Sequence, residues 1–255
     1  VAFLNLRHTL LFSVGLLAAA HSFSAMADVT DFEALDDPST AKKPFDGKAQ
    51  LGYTGHSGNT DSKTLNAGAY ATWFRKDHSY SIWANANSAS SDDETTAERY
   101  QLGGRTRYNL TNRNYLFGQL RWTSDRFAGY HSRTVLAGGY GRQILVGPPH
   151  SLSVEAGPGI RHDDLTSGGS DTRLIAYGAL NYAYHISDTA NFTQRIGLQY
   201  AGNNTTTDSE SALNVSINKD FTLRLAYAIE HNSNPPADTT HKTDSTTTVS
   251  LIYGF

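Results

Sequence analysis

From Lys48 to the last residue, apolar and polar positions alternate with period two, the spacing of a strand with one apolar face. One parity class collects Ala49, Leu51 and Tyr53, then Leu65, Ala67, Ala69, Ala71 and Trp73, then Tyr80, Ile82, Ala84 and Ala86. It continues through Leu102, Leu120, Leu136, Ile160, Leu174, Leu198 and Leu225, and ends on Val249, Leu251, Tyr253 and Phe255. Twelve segments result, most about ten to thirteen residues long. Sandwich strands average about five to six residues, whereas about 9–11 tilted residues cross a bilayer. A sheet in hydrocarbon can leave no edge unpaired, so it must close. The pattern predicts an all-β fold: a closed antiparallel transmembrane β-barrel of about 12 strands.

The connections alternate as well. Lys76-Asp77, Thr111–Arg113, Ile186–Asp188 and Lys219-Asp220 read as tight turns. Ser88–Ala97, Asp125–His131, His162–Asp171, Gly202–Ser209 and Asn232–Lys242 read as longer polar loops. Bacterial barrels keep short turns in the periplasm and longer loops outside, so both termini are expected in the periplasm. Two segments depart from this rule: Ser57–Ser62 is short for an outer loop and Gln143–His150 is long for an inner turn. Trp73, Phe74, Tyr80, Tyr108, Tyr115, Tyr182, Tyr184, Phe192, Phe221, Tyr253 and Phe255 cluster near the tight turns. Amphipathic rings prefer the headgroup level, so these residues are expected to form a periplasmic girdle. Gly157-Pro158-Gly159 interrupts one segment, and the missing proline N–H predicts a bulge or kink there.

Composition narrows the field. Only 38% of the 255 residues are hydrophobic, which excludes a bundle of membrane helices. The absence of cysteine removes disulfides, thiolate metal sites, cysteine nucleophiles and a lipid-modified N-terminal cysteine. A formal charge of −3 gives no basic excess for nucleic acid. Residues 1–27 carry Arg7, an apolar run from Leu10 to Ala20 and the small-x-small Ala25-Met26-Ala27, the pattern of a secretory signal peptide. Residues 28–46 are acidic and lack the alternation, so they read as a flexible periplasmic leader. Residues 47–255 form the barrel domain.

Several segments stand in order along that domain: Ser57-Gly58-Asn59-Thr60, Glu94-Thr-Thr-Ala-Glu-Arg-Tyr100, Asp125-Arg-Phe-Ala-Gly-Tyr130, Glu155-Ala-Gly-Pro-Gly159 and Glu230-His-Asn-Ser-Asn-Pro-Pro236, with the ending Val249-Ser-Leu-Ile-Tyr-Gly-Phe255. Over residues 47–255 the chain resembles the family of salt-induced outer-membrane proteins, a bacterial β-barrel family of unestablished function. The resemblance implies an integral outer-membrane location and a porin-like fold, with lipid and lipopolysaccharide as surroundings. Its salt-induced label concerns regulation, in salt or osmotic stress, and not mechanism. Tyr253 and Phe255, at alternating positions of the last strand, resemble the signal read by the barrel-assembly machinery. The family supplies no catalytic residues and no cofactor.

Chemistry is expected on the polar parity class. It holds Arg99, Arg105, Arg107, Arg121, Arg133, Arg161, Arg173, Arg195 and Arg224 against Glu155, Glu210 and Glu230, a formal excess of six positive charges. Guanidinium groups stay protonated and carry five donors in a fixed fork. A lumen lined by them would favour small anionic solutes. The alternative is a closed structural or surface-interaction barrel, braced by Arg/Glu networks and without conduction. A further expectation concerns the leader: Asp28, Asp31, Glu33, Asp36 and Asp37 form an acidic strip that could enter the basic lumen as a plug, the other reading being a solvated tail.

No enzyme is expected. His56-Ser57, His131-Ser132 and His150-Ser151 are adjacent pairs whose side chains point to opposite faces of a strand, so none forms a nucleophile–base couple. His56, His131, His162, His231 and His241 fall on the outer side near Asp92, Asp93, Asp163 and Asp164, but without metal-ligand spacing.

Overall fold

A computed structural model describes residues 37–56, 62–91, 94–126, 128–234 and 242–255. The signal-peptide segment, the leader up to Asp36 and the Ser57-Gly58-Asn59-Thr60 segment lie outside the described residues. A 3-10 turn over Pro38–Thr40 precedes β1 (Phe45–His56), β2 (Ser62–Phe74), β3 (His78–Ser91), β4 (Glu94–Asn109), β5 (Asn114–Asp125) and β6 (Tyr130–Leu145). There follow β7 (His150–Leu165), β8 (Ser170–His185), β9 (Ala190–Tyr200), β10 (Thr205–Ser216), β11 (Phe221–Asn232) and β12 (Thr243–Gly254). Each strand pairs antiparallel with its sequence neighbours, and β1 meets β12 to close the barrel. The fold is the closed twelve-stranded antiparallel barrel that the period-two pattern dictates.

The seam runs from Lys48↔Gly254 to Leu51↔Leu251. It is fastened at the turn end by Phe255, whose N–H donates to the Gly47 carbonyl (3.0 Å) and whose carbonyl accepts from the Gly47 N–H (3.2 Å). The Phe255 ring sits beside those of Phe45 (6.3 Å) and Tyr253 (5.9 Å). Phe45 also packs on Trp73 (5.5 Å), which explains why β1 starts two residues before the expected boundary.

The parity classes separate cleanly. Leu51, Leu102, Leu120, Leu136, Leu198, Leu225 and Leu251 are exposed on the outer wall, while Asn66, Asn87, Gln101, Thr123, Thr206, Thr248 and Ser250 are buried inside. In a water-soluble barrel the apolar parity would face inward; here the polar class does. Tyr115 departs from the expected girdle. It lies on the inner face of β5 at 1% exposure, because it shares parity with Phe117 and Arg121.

Strands extend further than the polar composition of their ends suggested. β3 reaches Ser91, β4 starts at Glu94, β7 reaches Leu165, β8 starts at Ser170 and β10 starts at Thr205. The connections Thr166–Gly169 and Ala201–Asn204 are what remains of two expected loops. Polar side chains at a strand end on the inward face find partners within the wall, as Asp163 does in Arg133, so polarity alone misplaces the boundary. The long inner connection expected at Gln143–His150 is likewise only Val146–Pro149. Gly157-Pro158-Gly159 makes no bulge: β7 keeps one register against β8, with Pro158 opposite Ala176. What is lost is pairing with β6 between Ala137↔Gly159 and Tyr140↔Ala156, the stretch where Pro158 has no N–H to give.

Candidate functional site: the charged interior

The inner wall is organised in two tiers. Nearer the loop end, Arg133 grips Asp163 through two bonds, Nε to Oδ1 at 2.7 Å and Nη2 to Oδ2 at 3.2 Å. Arg161 approaches the same carboxylate at 3.1 Å. The Arg133 guanidinium lies 4.1 Å over the Tyr130 ring. Arg99 on β4 donates to Asp125 on β5 (3.5 Å) and to Glu230 on β11 (3.3 Å). At the rim, Arg173 donates to Asp171 Oδ2 (2.6 Å) and to the Asn203 side-chain oxygen Oδ1 (2.9 Å).

The second tier sits nearer the turns. Glu155 accepts from Arg105 at 2.7 Å and from the Tyr115 hydroxyl at 3.0 Å. The Arg107 guanidinium stacks on the Tyr115 ring at 3.9 Å. That ring lies where a Cβ on Gly141 would stand, 2.2 Å away, so glycine is required at 141 for Tyr115 to lie against the wall. Phe117 and Tyr177, from β5 and β8, meet with centroids 5.6 Å apart. On the facing wall Arg224 donates to Glu210, Arg195 stands 3.8 Å from the same carboxylate, and Arg224 also donates to Asn214 at 3.2 Å.

The residues singled out for the interior distribute as follows. Arg99, Arg105, Arg107, Arg121, Arg133, Arg161, Arg224, Glu155 and Glu210 are buried. The Arg195 and Glu230 side chains are mostly covered, and Arg173 is a third exposed at the rim. The expected excess of six positive charges needs correction. Asp125, Asp163 and Asp171 sit at strand ends and pair with the arginines, and Asp208 and Asp244 stand in the inward register on either side of Glu230. Asp37 enters from the N-terminal segment. With Asp46 and Lys48 of β1, which share the inward register of Gln50, nine arginines and one lysine among the described residues face ten carboxylates. The sequence pattern places Asp125, Asp163, Asp171 and Asp208 in loops and Asp37 and Asp46 in the leader, and assigns Asp244 to neither. Parity locates the strand-end ones: Asp125 is four residues from Arg121, Asp163 two from Arg161 and Asp171 two from Arg173. The balance follows from burial, since an unpaired charge inside a wall costs several kcal/mol, roughly, and partners remove that cost.

A cavity of about 10 Å³, room for one water, lies between Gln50, Asn66, Asn85, Asn87, Arg99 and Gln101. His162 and His231 are occupied by Thr172 (2.7 Å) and Thr243 (2.8 Å), and among the described residues no His, Asp and Glu converge as a metal site. His241 lies outside the described residues.

The wall and its contents can be set beside known proteins. The family described as "Protein of unknown function, DUF481" matches residues 49–255, nearly the whole barrel. The chain belongs to the DUF481 family. An uncharacterised protein of Escherichia coli K12, YdiY, is 47% identical over 232 residues, covering 91% of this chain and 92% of that one. In architecture this DUF481 barrel is similar to an outer-membrane channel from Pseudomonas putida F1, with a TM-score of 0.55 at 11% identity over 90% of this chain and all of the other. It is also similar to the translocator domain of the autotransporter NalP from Neisseria meningitidis, with a TM-score of 0.53 at 12% identity, covering 86% and 90%. At such identities these likenesses concern the fold alone, a closed β-barrel.

Proposed function

We propose that this protein is a non-enzymatic, integral barrel of the bacterial outer membrane whose ion-paired interior keeps the lumen shut to free ion flow. One observation carries the reading. Arg99 on β4 reaches Glu230 on β11 at 3.3 Å, a bridge between walls five strands apart around the ring. Below it, Arg105–Glu155 and Phe117–Tyr177 join strands three apart. A passing ion would have to break contacts in a setting where water replaces them poorly. Outside, the apolar parity is suited to acyl chains, the loop end to lipopolysaccharide, and the outward Tyr253 and Phe255 to recognition by the barrel-assembly machinery. The structural reading makes the barrel an envelope component that presents its loops.

A second reading, slow passage of small anionic solutes, is favoured by the concentration of Arg99, Arg105, Arg107, Arg121, Arg133 and Arg161 on the contiguous β4–β7 wall. Reversal potential in planar bilayers with a salt gradient separates the two. The braced barrel gives no sustained current. An anion-selective current that Arg105→Glu with Arg121→Glu weakens or reverses would establish the passage instead.

A further inference from the structure

Asp37 is the one described residue of the N-terminal segment whose side chain enters the barrel wall network. Its Oδ2 lies 2.7 Å from Arg107, and its Oδ1 accepts from the Asn109 amide at 2.8 Å. Arg107 Nε in turn donates to the Asn109 oxygen at 2.7 Å, which closes a ring of three side chains around the carboxylate. The Arg107 side chain is 3% exposed and that of Asp37 is 16% exposed. The far face of the guanidinium is taken by the Tyr115 ring, so its hydrogen-bonding edge has a fixed direction. Ser39 completes the arrangement from the segment's own side: its N–H and hydroxyl both donate to Asp37 Oδ1, at 2.9 and 2.8 Å, which shapes the 3-10 turn. Pro38 beside it is buried.

The barrel side of this contact is tied together by contacts of its own. Arg107, Asn109 and Tyr115 lie on paired strands, and the stack and the Arg107–Asn109 bond join them without Asp37 as an intermediary. Two convergent donors on a stacked guanidinium and an amide are the chemistry that recognises a carboxylate through both oxygens. We propose that Arg107, Asn109 and Tyr115 form a carboxylate-binding seat at the turn end of the barrel, which Asp37 occupies in cis and so latches the N-terminal segment across that mouth. The segment is then a self-ligand: a free carboxylate of suitable size competes for the same seat. This proposal does not depend on whether the lumen conducts, because the seat lies at the mouth, apart from the Arg99–Glu230 bridge.

The test uses the full chain in liposomes, which has no native cysteine to compete for a label. A nitroxide on Lys42→Cys, an exposed position of the segment, is expected to be motionally restricted in the parent. It should be freed by Asp37→Asn and by Arg107→Leu, and partly freed by Asn109→Ala. A spectrum unchanged by Asp37→Asn would overturn the latch. The seat is read separately in Asp37→Ala, with sodium formate against sodium chloride at equal ionic strength. Formate should raise the melting midpoint of that variant by more than it raises the parent's, and the extra rise should vanish when Asn109→Ala is added. Equal shifts in parent and variant would overturn the carboxylate seat.

Discussion

Arg99 and Glu230 stand 3.3 Å apart although they come from β4 and β11, and Asp125 flanks the same guanidinium at 3.5 Å. One buried cation therefore serves two carboxylates from different walls. Arg99→Leu leaves both acids without that partner, whereas Glu230→Gln leaves Arg99 with Asp125. Losing one member of a buried pair costs about 3–5 kcal/mol. Arg99→Leu is expected to fall in that range, and Glu230→Gln well below it, in urea unfolding from liposomes. Equal costs would mean that the two carboxylates do not share the guanidinium.

Glu155 belongs to the most enclosed ion pair among the described residues. Its side chain is 1% exposed and that of its partner Arg105 is 0%. Glu155→Leu removes the counter-charge that Arg105 has in this pair, and Arg105→Met leaves Glu155 with the Tyr115 hydroxyl but without the guanidinium. Each should cost about 3–5 kcal/mol, while the double variant should cost far less than their sum, because the desolvated charge disappears with its partner. A double-mutant cycle measures this, and strict additivity would contradict the pairing.

Gly141 makes room for Tyr115. A methyl group at 141 would stand 2.2 Å from the ring. Gly141→Ala should cost about 1–3 kcal/mol by overpacking. In a Tyr115→Leu background the same change should cost less, a difference that thermal unfolding of the four proteins reads directly.

Asp37 gives the protein a dependence on acidity at the mouth. Burial alone would raise its pKa, but the Asn109 hydrogen bond, the Arg107 charge and the Ser39 bonds outweigh it and hold the group below its ordinary 3.8. A carboxyl depressed in the folded state contributes stability above its unfolded value and loses it as pH falls through the folded value. The melting-midpoint gap between the parent and Asp37→Asn should therefore be constant near neutrality and shrink below about pH 4. A gap that widens in acid would reverse the assigned sign.

The fold was legible because period two is enforced residue by residue: every Leu of the outer class had to face away from every Arg of the inner class. Register followed from the same rule, which is why Arg105, Arg107 and Arg121 were assignable from spacing. What parity did not reveal was where strands stop. Asp125, Asp163 and Asp171 look like loop residues by composition, yet each continues the inward class of the strand beside it. Without these acids a balanced interior reads as a basic one. Tyr115 departs from the girdle for the reverse reason, since an aromatic near a turn suits a headgroup girdle as well as a guanidinium stack. The Arg99–Glu230 contact had no local signal at all, because it joins residues 131 positions apart.

The central claim is that hydrocarbon touches the apolar parity and that the arginine-bearing parity encloses the interior. Trp122 and Trp83 test it as internal reporters, one on each side of the same wall: Trp122 is 37% exposed on the outer face, and Trp83 is 5% exposed inside, its indole N–H donating to Gln101 at 3.1 Å. With each left as the sole tryptophan in bilayers of brominated lipid, Trp122 fluorescence should be strongly quenched and Trp83 fluorescence left nearly intact. Quenching of Trp83 with sparing of Trp122 would turn the wall inside out and contradict the account.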